Sequence, residues 1–198
     1  LLLVSIAAYI HIGISQCPEL TKPLESDLPS GFAFTNGTID WKSFLLVCRT
    51  EKEPSGRVFW VSSETGIRGS LWENLFCDKF SKSWMSNIGY LLNKDDKIGC
   101  AKPVDDKNIC LFQHKVDEGA FRITIAMNSS ITCNHGQQLK GKAVDGKSYE
   151  GKSLICNDKK EIYIDNHFLG TFPESQRATI SCEGDPLKST TIEPQPEC

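Results

Sequence analysis

The sequence of 198 residues lacks the features on which several classes of protein depend. Its net charge is -3, so it offers no excess of basic residues to follow a phosphate backbone, and we expect no nucleic-acid partner. After the first fourteen residues no apolar run approaches the roughly 20 residues that cross a bilayer, so no membrane span is expected. No two cysteines stand as Cys-x-x-Cys, which argues against a zinc site.

Motifs of catalysis are missing as well. There is no Gly-x-Ser-x-Gly, and the adjacent acids at 95–96 and 105–106 are flanked by lysines, which predicts solvated loops instead of a glycosidase pair. His114, His135 and His167 are scattered, with none at metal-ligand spacing from another. We therefore expect no enzymatic activity, no metal and no cofactor. A secreted hydrolase whose site is assembled in space from these three histidines is the main alternative.

The first fifteen residues predict a signal peptide. Residues 1–14 are mostly apolar, and Gly13 and Ser15 supply the small side chains that a signal peptidase requires, so we place the cleavage after Ser15. The alternative is a membrane anchor, but the run is too short and polar residues follow it. The absence of an initiating Met predicts that the sequence is truncated at its front.

Cysteines and glycosylation sequons agree with export. The chain has nine cysteines, a density expected in an oxidising compartment, where thiols form disulfides. Asn36 and Asn128 each begin an acceptor tripeptide for N-glycosylation, and both are expected at the surface. Together with the signal peptide, these features predict a secreted, extracellular glycoprotein.

The cysteines also reveal an internal duplication. Two sets of three recur at similar intervals, and a branched aliphatic residue stands two positions before each cysteine: Leu46, Leu75, Ile98, Ile131, Leu154 and Ile180. One further cysteine completes each set, giving Cys17, Cys48, Cys77 and Cys100, then Cys110, Cys133, Cys156 and Cys182. We predict two four-cysteine modules at 16–103 and 104–184, with all bridges inside a module. An extended Pro/Thr tail at 185–198 would follow, with Cys198 bridged to another chain or to a missing module.

The expected fold is mostly β, with two small sandwich-like modules. Side chains two apart in a strand share a face, so each aliphatic residue and its cysteine should face one core. Short strand signals occur at 41–48, 57–61, 121–127, 161–164, 167–172 and 178–182. Asp165 and Asn166 predict a hairpin loop, and the apolar spacing over 70–81 suggests a short helix.

The tryptophans give the best functional signal. All four lie in the first module: Trp41, Trp60, Trp72 and Trp84. Trp60 and Trp72, with the nearby Arg57 and Arg68, form a candidate binding patch for an extracellular protein or glycan, because Trp and Arg dominate binding hot spots. The alternative is that the tryptophans fill the core. Trp84 is expected there because it follows Cys77 as Tyr163 follows Cys156, seven residues later.

The second module resembles the cysteine-repeat modules of secreted nematode proteins, in particular the six-cysteine domain family. The similarity rests on 131–133, on 154–157 with Tyr163, and on 178–182. It covers residues 110–184 and extends more loosely over 17–103, although each module has four cysteines instead of six. The resemblance implies tandem extracellular modules without enzymatic activity. A weaker resemblance to sushi modules implies that Cys110 pairs with Cys156 and Cys133 with Cys182.

One more reading is left open by the loops. A secreted inhibitor or host-directed effector would present a rigid, protruding loop to the cleft of its target. The segments 51–57 and 65–69 are the candidates for such a loop.

Overall fold

The computed structural model describes residues 17–49, 57–116 and 119–185. Strands make up most of it, which confirms the predicted mostly-β class, and two short 3-10 helices occupy Glu25–Asp27 and Glu174–Arg177. The strands, numbered in chain order, are β1 Phe32–Phe34, β2 Asn36–Asp40, β3 Leu45–Arg49, β4 Val58–Val61, β5 Arg68–Leu71, β6 Leu75–Asp78, β7 Ser83–Ser86, β8 Lys97–Pro103, β9 Ile109–Val116, β10 Gly119–Ala126, β11 Ser129–Thr132, β12 Gln138–Lys142, β13 Ser148–Gly151, β14 Ser153–Cys156, β15 Glu161–Ile164, β16 His167–Thr171 and β17 Thr179–Glu183.

One long sheet of nine strands runs through the described chain in the order β1-β8-β4-β5-β10-β9-β17-β12-β13. Its first four strands come from the first half (residues 17–103) and the other five from the second half (104–185). All neighbours are antiparallel except β9 and β17, which are parallel.

Two four-stranded sheets, β2-β3-β6-β7 and β11-β14-β15-β16, complete the fold, one from each half. The core lies between them and one face of the long sheet, here called the inner face. Trp60 pairs with Ile98 and Leu71 with Ile123, so these side chains share the inner face, and all four are buried in one hydrophobic cluster.

All four disulfides lie within the predicted modules. Cys17 pairs with Cys77, Cys48 with Cys100, Cys110 with Cys156 and Cys133 with Cys182, at Cα distances of 5.4–6.3 Å. The predicted first-to-third and second-to-fourth pairing is therefore confirmed in the second half, and the first half repeats it. In each half one bridge joins the small sheet to the long one: β3 to β8, and β14 to β9.

Noncovalent contacts, in contrast, cross the predicted boundary. The β5–β10 ladder joins the halves at Ser70 and Thr124, and the Trp60 ring centroid lies 4.7 Å from that of Phe121. Asn134 donates from its side-chain amide to the carbonyl oxygens of residues 63 and 64. No disulfide thus joins residues on opposite sides of the boundary near residue 103, whereas the nine-stranded sheet and the hydrophobic core extend across it. That each half folds as a separate module stays a prediction.

The hairpins β6–β7 and β14–β15, which the predicted duplication would make equivalent, differ by one residue in loop length. Trp84 faces Cys77, whereas Cys156 faces Ile162, so Tyr163 lies on the opposite face of its strand. Trp84 is buried as predicted, but the analogy with Tyr163 is wrong, because the second hairpin loop is one residue shorter.

Two local predictions were wrong. Residues 70–81 form β5, a connection and β6 instead of a helix, because both strands pair in sheets and bury Leu71 and Leu75. Within 41–48, the strand begins only at Leu45, after a turn in which Phe44 has a φ of 56°. The hairpin loop at Asp165 and Asn166 is confirmed, and the Asp165 carboxylate accepts hydrogen bonds from the N–H groups of residues 152 and 153.

Candidate interaction surface

The candidate surface lies on the other face of the long sheet, the outer face, where the two halves meet. Thr124 is buried in β10, and its hydroxyl oxygen accepts hydrogen bonds from the Trp72 indole N–H and from Arg57 Nη1. The guanidinium carbon of Arg57 lies 4.3 Å from the Trp72 ring centroid, and that of Arg122 lies 5.8 Å away. Both are cation–π distances. Arg57, Trp72, Glu73, Arg122 and Thr124 are called the seam cluster below.

Glu73 holds Arg122 in place. Its carboxylate accepts from Arg122 Nε at 2.9 Å and from the Arg122 backbone N–H at 3.2 Å. The Glu73 side chain is 4% exposed, whereas that of Arg122 is 49% exposed. The guanidinium is therefore anchored through Nε, while much of its surface faces solvent.

The cluster offers an exposed aromatic ring between charges. Trp72 is 41% exposed. Burial lowers the pKa of Arg57, and the negative charge of Asp106 opposes this change. An arginine begins so far above neutral pH that it keeps its charge. Indole and guanidinium are the side-chain types most often found at binding hot spots, and here a hydrogen-bonded framework orders them before any partner arrives.

Two of the four predicted patch residues lie elsewhere. Trp60 is 1% exposed and its indole N–H donates to Asp96 at 2.9 Å, so it belongs to the core and cannot be a surface anchor. Arg68 is directed to the first 3-10 helix, where Nη1 is 3.5 Å from the Ser26 carbonyl oxygen. Only Arg57 and Trp72 of the predicted set come together.

Two members of the cluster could not be found from sequence spacing. Arg122 and Thr124 lie about fifty positions along the chain from Trp72, and the β5–β10 pairing with the bonds beside it brings them to Trp72 and to its neighbour Glu73. The polar neighbours of Trp72 were the only local sign that its strand leaves the core there.

The three histidines occupy separate surroundings. His114 is buried beside Trp60, with Nδ1 3.3 Å from the Ile180 carbonyl oxygen and Nε2 3.3 Å from the Thr65 hydroxyl. A carbonyl can only accept, so Nδ1 carries the proton and Nε2 accepts from Thr65. Burial lowers the pKa of His114 to about 4. His167 is exposed and stacks on Tyr149.

These placements do not assemble the hydrolase site considered above. His135 is exposed in the turn after Cys133, and no contact joins any two of the three histidines within the described ranges. No group of three or more His, Cys, Asp or Glu side chains that could hold a metal occurs among the residues the structure describes.

Of the two candidate effector loops, only 65–69 lies wholly within the described residues. This loop does not protrude: Thr65, Ile67 and Gly69 are buried, and the Thr65 carbonyl oxygen accepts a hydrogen bond from the Asn134 N–H. Most of the 51–57 segment lies outside the described residues. The 65–69 reading is therefore wrong.

Both sequon asparagines are exposed. Asn36 begins β2, and Asn128 lies in the tight turn between β10 and β11 with a φ of 57°. Exposure is the condition that a glycosylation site requires, and both positions meet it. Within the part of the chain that the structure covers, no helix is long and apolar enough to cross a lipid bilayer.

Comparison with known proteins gives no relative. No protein-family model matches the chain, and neither curated proteins nor solved structures match it.

Proposed function

We propose that this chain is a secreted, noncatalytic binding protein that recognises an extracellular protein or glycan through the seam cluster. In this proposal the signal peptide at 1–15 is removed and glycans are added at Asn36 and Asn128. The nematode cysteine-repeat type is the proposed origin. Four disulfides and two exposed sequons support export.

The single observation that carries the proposal is the exposure of Trp72. A ring that is 41% exposed presents apolar surface that a partner can cover, and Arg57 and Arg122 add fixed positive charge beside it. Guanidinium groups pair well with carboxylate and sulfate oxygens. The expected partner therefore presents acidic groups beside an apolar or sugar surface.

Binding arrays test the proposal. The chain would be produced in secreting cells, and the glycoprotein from the medium applied to arrays of extracellular proteins and glycans. Trp72→Ala should weaken binding about tenfold or more, the loss typical of a hot-spot aromatic, and Trp72→Phe should weaken it less. Phe80→Ala is the matched control, because Phe80 is 95% exposed on the β6–β7 turn, away from the cluster.

Thermal unfolding and near-ultraviolet circular dichroism should show that all three variants remain folded. Undiminished binding by folded Trp72→Ala would reject the surface. Retention of the chain inside the cells, or turnover of a hydrolase substrate by the purified protein, would reject the proposed function.

Cys198 lies outside the described residues, so its pairing with another chain or a missing module stays a prediction. Nonreducing electrophoresis of Cys198→Ser beside the wild type would test it. A covalent dimer should disappear in the variant if the bridge is intermolecular.

A further inference from the structure

A groove of about 1100 Å³ lies at the edge of β8, between residues 17–23 and β2. Cys100 and Gly37 both line it, and Gly37 fits tightly there, since a Cβ at that position would lie 2.4 Å from Cys100 Sγ. Two exposed aromatic residues line it: Phe34 is 43% exposed and Trp41 is 40% exposed. Apolar surface of this kind usually indicates a binding site.

Polar groups accompany the aromatic rings. Thr35 lines the groove, but its hydroxyl oxygen is buried and inaccessible from it. Lys22 and Glu19 add charged donors and acceptors along the other wall.

Asn36 also lines this groove, and its position suggests the occupant. We propose that the N-glycan carried by Asn36 folds back into the groove, with its first sugar against Phe34 and later sugars extending along β2 toward Trp41. This inference depends on the secretion and glycosylation in the proposed function, and it assigns the Asn36 glycan the role of covering the groove.

The chemistry of a sugar fits both kinds of lining residue. A pyranose ring has an apolar face of C–H bonds, which can cover an aromatic ring, and hydroxyl groups at its rim, which can bond Lys22 and Glu19. Attachment through Asn36 Nδ2 makes the contact intramolecular, which raises the effective concentration of sugar to about the millimolar range. A weak sugar–aromatic contact then becomes well populated.

The distances along the chain separate the proposed contact of the glycan with Phe34 from its contact with Trp41. Phe34 is two residues from Asn36, about 7 Å in extended chain, within reach of the first sugar. Trp41 is five residues away on the other side, about 17 Å, which only a longer oligosaccharide can cover. Enzymatic trimming to one sugar should therefore separate the two contacts.

Asn128 provides a matched control within the same chain. It is also exposed but lies in the β10–β11 turn and does not line the groove. A glycan there would have the same composition without the aromatic partners.

The experiment measures thermal unfolding of the full secreted glycoprotein. Asn36→Gln should lower the Tm by about 2–4 °C, whereas Asn128→Gln should leave it unchanged. Phe34→Ala and Trp41→Ala should each lower the Tm in the wild type, and each should lower it much less in the Asn36→Gln background, because the shared contact is already lost. After trimming to one sugar, the Phe34 effect should persist and the Trp41 effect should disappear.

Several results would overturn the inference. Strictly additive effects in both backgrounds would show that the glycan does not touch the rings. Occupancy of Asn128 without Asn36 in a secreted protein would overturn it while the proposed binding through the seam cluster stands, whereas failure of secretion would remove both. Loss of array binding in Phe34→Ala or Trp41→Ala, without coupling to the glycan, would assign the groove to a free partner instead.

Discussion

The two halves share one bridge pattern but use equivalent positions differently. Cys100 and Cys182 occupy matching places in β8 and β17, and from them the pairing aligns Trp60 with Gly141 and Gly69 with Tyr149. In the first half the large ring, Trp60, lies on β4 and the glycine on the neighbouring β5. In the second half the glycine lies on β12 and the large ring, Tyr149, on the neighbouring β13.

The reversed positions of the large ring and the glycine explain how the halves join. Gly69 leaves room for β10, since a Cβ there would lie 2.4 Å from Ile123 Cγ2 and 2.7 Å from the Thr124 carbonyl oxygen. Trp60 then reaches Phe121 across the junction. The corresponding strand of the second half, β13, is an edge strand that carries Glu150, and a charged side chain discourages further strand pairing.

The outer face differs as well. In the first half it is covered, with Pro23 against Gly99 and Phe32 against Phe59. In the second half only the part formed by β17, β12 and β13 is open and polar, and Lys140 there pairs with Glu150 and Glu183. On the same face of β9 and β10, Leu111 and Thr124 are buried. The seam cluster lies at the border between the covered and open parts. The outer face of the first half is thus covered by its N-terminal segment, whereas the β17–β12–β13 part of the second half leaves its outer face exposed.

The largest expected effect comes from the feature that the halves share. A disulfide in a small secreted domain stabilises it by roughly 2–5 kcal/mol, so reduction of all four with dithiothreitol should unfold both halves below physiological temperature. Near-ultraviolet circular dichroism of the buried tryptophans would follow the loss. Retention of that signal after full reduction would contradict the prediction, and two separate transitions would contradict a common core.

Trp60→Ala should be the most damaging single change in the first half. Loss of a buried tryptophan typically costs about 3–5 kcal/mol, and here the ring also packs on Phe121 and His114 of the second half. Denaturant unfolding would measure the loss, and hydrogen exchange should show weakened protection in β9 and β10. Phe80→Ala, at a position that is 95% exposed, is the control. A change in hydrogen exchange confined to the first half would show that the Trp60 ring does not couple the two halves.

His114 should make the junction sensitive to acid. Its pKa falls from 6.5 in the unfolded chain to about 4 in the folded protein, because burial disfavours the charged ring. Between these values the unfolded state binds more protons, so stability is fully present above pH 6.5 and decreases by about 3 kcal/mol as the pH falls to 4.

Unfolding free energies of wild type and His114→Phe would be compared over this pH range. The variant should lack the His114 part of the slope, whatever its stability at pH 7. Equal slopes in the two proteins would show that the histidine is not buried in its neutral form.

The smallest effect should come from the ion pair in the seam cluster. Arg122 is half exposed, so solvent screens its bond to Glu73, and Glu73→Gln should cost about 1 kcal/mol. A double-mutant cycle with Arg122→Ala would isolate the pair. Purely additive losses would mean that it does not hold the two halves together.

Local and repetitive features were predictable, and long-range pairing was not. Spacing of the cysteines and aliphatic residues indicated the duplication and kept the bridges within each half. Leu71 and Leu75 stand four apart, a spacing that fits one helix turn as well as two strands in different sheets, so the helix prediction failed.

The mixed outcome for the patch has a similar cause. Trp60 belongs to the continuous apolar run Val58–Val61, which is typical of a strand buried on both faces and would have indicated that it is core. Trp72 is followed by Glu73 and Asn74, and such polar neighbours favour an exposed position. No signal in the sequence pairs β5 with β10, so Arg122 and Thr124 could not be assigned.

Because the bridges end where the sheet continues, the protein should respond unevenly to mechanical tension. Within each half two overlapping covalent loops limit how far the chain can lengthen. Between Cys100 and Cys110 no bridge crosses, and only hydrogen bonds and side-chain packing hold β5 to β10. A force applied to the two ends would therefore separate the halves at this junction, while the disulfides would limit the extension of each half.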